Sequence, residues 1–283
     1  MIIALSYLTY FIFSTIAPIQ RRFIIARKNP DSNEQIRLAF EVMLILTLGS
    51  LVFQFFSPLY FAGSKINLFL LSLACGIFGM GSFIFNYTSQ KHIDASITNI
   101  VVKIYTPIVI ILSSIFLKEG LNNMQIIGTM LLLFAMFIIS KKHHIGQFKF
   151  DKYLWRMLLG GISLGILLVA ERALQKQTGL SASTMLSWGS QCFCLGLATL
   201  YFKSKHTYTQ KDALSVGLFT LMSSSSYVVL VYNVGNLSLV SSITTFTVVT
   251  IFISATVFLK EREDLGRKIF GSIIAVVGLL FMK

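Results

Sequence analysis

Phe116-Leu117-Lys118-Glu119 closes one long apolar run of this chain, and the same four residues, Phe258-Leu259-Lys260-Glu261, close another 142 positions later. The chain has 283 residues, so the offset is close to half its length. A tetrad that recurs at half-length, each time ending an apolar run, points to an internal duplication. Working outward, "GLNNMQIIGTMLLLFAMFI" follows the first copy and "REDLGRKIFGSIIAVVGLLF" the second, each a short polar loop leading into a closing helix. Gly128 falls on Gly271 when the second loop has one extra residue, and Ala135 then falls on Gly278. Small residues seven apart share a helix face and let backbones approach closely in lipid. Upstream, Ser96-Ile97-Thr98 recurs as Ser242-Ile243-Thr244, with four more residues before the tetrad in the first copy, about one helical turn. A weaker match sets Arg22 on Arg172.

Hydrophobic residues make up 55% of the chain and charged residues 12%, against about 25% charged in a soluble domain. That composition belongs in a bilayer. Apolar runs long enough to cross about 30 Å of hydrocarbon as helices fall at 2–20, 36–57, 66–88, 95–117, 122–140, 153–174, 180–202, 213–234, 239–259 and 266–282. The fold expected is an all-α polytopic membrane protein of ten transmembrane helices in two five-helix repeats, 1–142 and 153–283, joined by a loop at 143–152. Five is odd, so the second repeat enters the membrane from the opposite side, an inverted-topology repeat. The first run lacks a basic leading segment and its arginines follow it, so it reads as a retained span.

The net charge of +13 is dispersed through short loops, which reads as membrane orientation and gives no nucleic-acid partner. The odd-numbered loops hold 17 of the 24 Lys and Arg residues. By the positive-inside rule those loops face the cytoplasm and both termini lie outside. Cys75, Cys192 and Cys194 sit in apolar stretches with neither disulfide nor metal-ligand spacing, and read as small hydrophobes.

At this point the sequence resembles the drug/metabolite transporter superfamily, in particular its EamA-type ten-helix members. The resemblance rests on the apolar run ending in FLKE, on the glycine of "IIG" and "IFG" that follows, and on Pro107, twelve residues before Glu119. The second half has Val249 at the place equivalent to Pro107. The resemblance implies a transporter of small metabolites. Members of the family are usually described with both termini cytoplasmic, opposite to the charge count, so orientation stays open. The small four-helix relatives use a glutamate in the first span for proton exchange, and residues 2–20 contain none.

Lys103 is the sharpest candidate for a substrate contact. It lies deep in the fourth run, where a charge costs about 2.5–3.5 kcal/mol unless paired or wet. It reads either as a counter-charge for a carboxylate or phosphate, or as a structural pair with Glu41 or a snorkelling side chain. Glu41 is a candidate for coupling transport to protons, or a helix-surface partner of Arg37 four residues earlier. Polar and aromatic residues that suit a midplane site are Tyr7, Tyr10, Asn86, Tyr87, Asn99, Ser187, Trp188, Gln191, Tyr227, Tyr232, Asn233, Thr244 and Thr245. The substrate-binding set selected from these with Lys103 is Tyr10, Asn86, Tyr87, Asn99, Trp188, Gln191, Tyr227, Tyr232 and Thr245. Gly161-x3-Gly165 and the serines at 223–226 read as packing devices, and the tetrads as stops at the membrane surface.

His92, His143, His144 and His206 all fall in loops, without an HExxH or a nucleophile–base pairing. "GIFGMG" at 76–81 lacks the GxGxxG order and a preceding strand. The reading is therefore a non-enzymatic secondary transporter moving a small polar metabolite, such as an amino acid, by alternating access. It needs no cofactor or metal, its partners are the metabolite and membrane lipid, and a bacterial cytoplasmic membrane is its expected location. The alternative is a membrane scaffold that transports nothing.

Overall fold

A computed structural model describes residues 1–90, 92, 101–140, 152–203, 208–258 and 265–282. The described residues form helices and no strands, as an apolar chain requires when each backbone N–H and C=O must be satisfied away from water. The first elements are α1 (Ile2–Lys28), α2 (Ser32–Ser50), α3 (Lys65–Ser89), α4 (Tyr105–Leu112) and α5 (Asn123–Ser140). The helix Lys152–Tyr201 is interrupted at Gly179, whose φ of 72° places it in the left-handed region that a side chain would penalise. Its arms are α6 (152–178) and α7 (180–201). Then come α8 (Gln210–Val234), α9 (Leu237–Thr244), α10 (Thr247–Phe258) and α11 (Leu265–Leu280).

Local chemistry fixes several ends. Asp31 and Glu34 form a reciprocal capping box at the start of α2, and Thr209 and Asp212 form another at the start of α8. Each satisfies amide donors that a helix N-terminus leaves open. Arg27, at the end of α1, reaches Asp212 at 2.6 Å and ties the two helices together. The expected loop at 175–179 shrinks to one non-helical residue, Gly179, and α1 continues eight residues past the expected end at 20.

Among the described residues, five helices are long and apolar enough to cross a membrane, one of them the pair of arms around Gly179. The shorter apolar helices are Tyr105–Leu117, Asn123–Ala135, Leu237–Ile251 and Ile269–Leu280. The outer surface is apolar, with Leu5, Phe69, Ile111, Phe134 and Phe193 all exposed. Ser113, Ser187, Ser238, Ser241 and Thr244 lie fully buried instead. That inversion of a soluble core is the pattern of a multi-pass membrane protein, whose helices associate through small and hydroxylated residues.

Packing interleaves distant parts of the chain. α3 packs on both arms of Lys152–Tyr201, and α8 packs on α1 and α2. α5 pairs with α11, and α4 with α9. At the α5–α11 crossing, a Cβ on Gly128 would lie 2.7 Å from the Gly278 carbonyl oxygen, and one on Gly278 would lie 2.9 Å from that of Gly128. The expected close-packing face is thus used, with Gly128 against Gly278.

Candidate functional site

The site begins with two broken helices. Pro107 has no N–H, so the Lys103 carbonyl lacks its donor four residues on and accepts from Thr106 N–H at 2.9 Å. The chain therefore turns at Lys103 and Ile104 before α4 starts. The second half has no proline there, yet it turns at Thr245 and Phe246, 142 positions later. In this case hydroxyls compete with the backbone ladder: Thr244 and Thr245 both donate to the Ser241 carbonyl, at 3.0 and 3.1 Å. Val248 N–H goes to the Thr245 carbonyl at 3.1 Å. The Thr244 carbonyl is thereby left for side-chain donors and takes Thr247 Oγ1 at 2.7 Å.

It also takes Lys103. The ammonium donates to the Thr244 carbonyl at 2.9 Å and to Tyr105 Oη at 3.1 Å, and the residue is 6% exposed. An ammonium has three N–H donors, so these two bonds leave one. Gly161 and Gly165 on α6 make room for the turn. A Cβ at Gly161 would lie 2.8 Å from the Val102 carbonyl oxygen, and one at Gly165 would lie 2.8 Å from Ile108 Cγ2.

Lys103 opens onto a chamber of about 270 Å³ at the centre of the bundle. Sites for drug-sized ligands run from about 300 to 1,000 Å³, so its occupant is small. Tyr10 and Ser14 enter from α1, Phe83 from α3, and Trp188 and Gln191 from α7. Ser223, Ser224 and Tyr227 enter from α8, and Thr247 from α10. Glu171 faces the chamber from α6 beside an apolar wall of Leu164, Leu167 and Leu168. The rings of Tyr10 and Tyr227 lie 5.7 Å apart, and the Tyr227 and Ser241 hydroxyls are 2.7 Å apart. Gln191 donates to Ser187 Oγ at 3.0 Å and lies over Gly79, where a Cβ would clash with its side chain.

Beyond one end lies an ionic cluster in which Glu119 and Arg172 are buried and Lys176 reaches in from an exposed position. Arg172 Nε and Lys176 Nζ each reach Glu119 Oε1 at 2.9 Å. Glu119 Oε2 accepts from Leu237 N–H at 2.7 Å, placing the carboxylate at the positive end of α9. Arg172 also donates to Gln175 at 2.6 Å, and Gln175 to the Val228 carbonyl at 3.2 Å. A void of about 10 Å³ shares Leu168, Glu171, Tyr227 and Val228 with the chamber and touches Arg172 and Gln175. Glu119 is thus more than the surface stop expected from FLKE. The helix ends at Lys118, which is left-handed with φ 57°, while Glu119 turns inward and joins three elements. Leu259 to Glu261 of the second tetrad lie outside the described residues.

Of the expected binding residues, Lys103, Tyr10, Trp188, Gln191 and Tyr227 line the chamber. The others take different places. Thr245 is buried against Thr106, their hydroxyls 3.0 Å apart. Asn86 donates to Ser82 at 3.3 Å, and Tyr87 lies beneath the Arg21 guanidinium, 4.2 Å from its ring centre. Tyr232 is 45% exposed on the outer surface, and Asn99 lies outside the described residues. Glu41 pairs with Arg37 at 3.0 Å, one helical turn away, and is not among the residues lining the chamber. Lys103 finds the Thr244 carbonyl and Tyr105 in place of the expected Glu41. Sequence reasoning missed Glu171, Tyr105, Phe83 and Ser14 as chamber residues and read Ser223 and Ser224 as packing.

An all-helical membrane bundle folded around a small chamber of mixed polar and apolar lining defines a class, the multi-pass membrane transport proteins. Residues 1–141 match the model of the EamA-like transporter family, and the chain belongs to that family, as a membrane transporter of the drug/metabolite type. Comparison with curated proteins gives no match. A protein solved by crystallography, 12% identical, aligns with a TM-score of 0.67 over 96% of this chain and 97% of its own. At that identity the likeness is one of fold.

Proposed function

We propose that the protein is a secondary carrier of ten spans, built from two inverted five-helix halves, 1–142 and 153–283, that moves a small polar metabolite by alternating access in a bacterial cytoplasmic membrane. The observation that carries this reading is the central chamber with a buried ammonium on its wall, lined by helices from both halves. An intramembrane charge kept deep in a bundle is by default part of a substrate or ion path.

The packing supports inversion. The third helix of each half sits on the first two helices of the other, α3 on α6 and α7, and α8 on α1 and α2. The fourth helices pair with each other, as do the fifth. The turns in the fourth helices share the 142-residue offset of the FLKE tetrads. Broken helices meeting near the midplane between repeats are the usual substrate cradle of such carriers. The cluster at Glu119, Arg172 and Lys176 supports alternating access, since it ties α6, the start of α9 and the segment that follows α4 together beyond one end of the chamber.

The test is counterflow in liposomes containing the purified protein, with labelled amino acids, nucleotides and phosphorylated sugars as probes. One class should exchange, and Lys103→Gln should reduce that exchange at least about tenfold, the usual scale for losing a buried charge contact. No exchange of any class would return the scaffold reading.

A further inference from the structure

The two ends of the bundle are held in unequal ways. At the Glu119 end each group of the ionic cluster has its partner. Both carboxylate oxygens are engaged, Arg172 donates to Gln175, and Gln175 donates to the Val228 carbonyl. Ser238 Oγ adds a bond to the Glu119 carbonyl at 2.6 Å. Asn236 reaches the Gly120 carbonyl at 3.0 Å and accepts from Leu239 N–H at 3.0 Å.

At the other end α1 and α3 finish, α2 begins, and Tyr208 packs in just before α8. Among the described residues, buried side-chain atoms without a hydrogen-bond partner gather there: Gln20 Oε1, Arg21 Nε, Gln35 Oε1 and Nε2, Tyr87 Oη, Ser89 Oγ and Tyr208 Oη. The Arg21 guanidinium lies 4.2 Å from the Tyr87 ring centre, and its charge reaches the Tyr208 hydroxyl. Tyr87 and Tyr208 belong to one apolar cluster, both buried. These groups have lost water without a replacement partner, which disfavours the closed arrangement. Six residues before Arg21, beside the chamber residues Ser14 and Ile251, α1 and α10 touch through Thr15 and Thr250, their hydroxyl oxygens 2.6 Å apart. Thr15 also bonds to the Phe11 carbonyl at 2.6 Å and Thr250 to the Thr247 carbonyl at 3.0 Å. Each hydroxyl has one proton, so when this seam parts both can return to their own helices and no donor is left open. Parting the Glu119 end instead strips a buried arginine of its carboxylate, a strongly unfavourable loss.

We propose that the Arg21 end is the gate that opens in the substrate-free protein, and that the Glu119 end is the latch that stays shut. Opening hydrates the orphaned groups, and each one so relieved shifts the balance by about a factor of ten. The intact latch opposes opening at its own end, so the two ends bias one equilibrium in the same direction. This deepens the alternating-access reading and rests on it.

The chain has two tryptophans, Trp188 in the chamber wall and Trp155 on the outer surface, so Trp155→Phe leaves a single reporter of the chamber. Quenching of its fluorescence by acrylamide in the full-length protein reads access from water. With Cys75, Cys192 and Cys194 replaced by alanine, a disulfide made by Thr15→Cys with Thr250→Cys locks the Arg21 end. Ser113→Cys with Ser238→Cys locks the Glu119 end, since those hydroxyls are also 2.6 Å apart. The first lock should remove most of the quenching, reversibly on reduction, and the second should leave it unchanged. The proposal is overturned if the first lock leaves quenching unchanged or the second removes it. Single cysteines give the same comparison without a lock. Ser89 and Ser238 are both fully buried, yet Ser89→Cys should react with a soluble maleimide about tenfold or more faster than Ser238→Cys, the scale set by one orphaned group. Equal rates in the folded protein, with both sites reacting after unfolding, overturn the proposal.

Quenching and labelling are read without substrate and so stand apart from counterflow. Unequal ends without exchange of any metabolite class leave the inequality and remove the carrier. Exchange with equal labelling at the two ends leaves the carrier and removes the inequality.

Discussion

Arg172 Nε and Lys176 Nζ converge on a single oxygen of Glu119, each at 2.9 Å, while the other oxygen takes the Leu237 amide at the start of α9. One carboxylate thus answers two cations and a helix N-terminus. Removing it leaves Arg172 buried without its charge partner. Glu119→Gln should destabilise the protein by about 3 kcal/mol, within the range for breaking one side of a buried pair. Replacing Glu119 and Arg172 together by leucine should recover part of that loss. Thermal unfolding of Glu119→Leu, Arg172→Leu and the double leucine variant, read as a cycle, gives the coupling; additive losses would mean that the pair does not act as a unit.

Gly161 lies where the backbone turns past α6. A side chain there meets the Val102 carbonyl and Ile104, so Gly161→Val should cost about 1–3 kcal/mol, as overpacking does. It should also displace Lys103 and weaken substrate binding. Gly266, with no atom of the described residues within 4 Å of where a Cβ would point, offers a control: Gly266→Ala should leave both melting temperature and binding unchanged.

Pro107 withholds the N–H that would otherwise close a helical bond to Lys103. Pro107→Ala should let the fourth helix straighten and draw the ammonium away from the Thr244 carbonyl. Stability should change by less than about 1 kcal/mol, since an interior proline is itself unfavourable in a helix. Substrate affinity should fall about tenfold, equivalent to 1.4 kcal/mol. Binding and melting measured on the same sample separate the two effects.

Glu41 and Arg37 form an ion pair along the face of α2, the Arg37 side chain 37% exposed. Pairs of this kind contribute about 0.3–0.5 kcal/mol. Glu41→Gln should therefore lower stability only slightly and leave the dependence of uptake on a pH gradient unchanged. Loss of that dependence would restore Glu41 as a coupling residue.

Fold class and family were legible because they rest on repetition: apolar runs of spanning length and a tetrad recurring at half the chain. Lys103 was legible for a related reason, since a charge in the middle of an apolar run is visible without any neighbour. Glu171 was not. Its run was expected to end at 174, which put it near the surface, but α6 continues to 178 and leaves Glu171 about two helical turns inside. Tyr232 failed in the opposite sense, because nothing local says which face of α8 meets lipid. Glu119 looked like any charge at a helix end, and its burial depends on Arg172 and Leu237, 53 and 118 positions away. The turn at Thr245 is made without proline, by side-chain hydroxyls returning to the backbone, a competition that composition alone does not display.

The Thr244 carbonyl, freed by that turn, is answered by an ammonium from the other half of the chain. In hydrocarbon such a group has no water to fall back on, and α3 and α8 likewise rest on helices from across the sequence. Each half therefore serves as the solvent of the other. Separated at the 143–152 segment, neither piece should persist alone in a membrane, whereas the two expressed together should find each other without the covalent link.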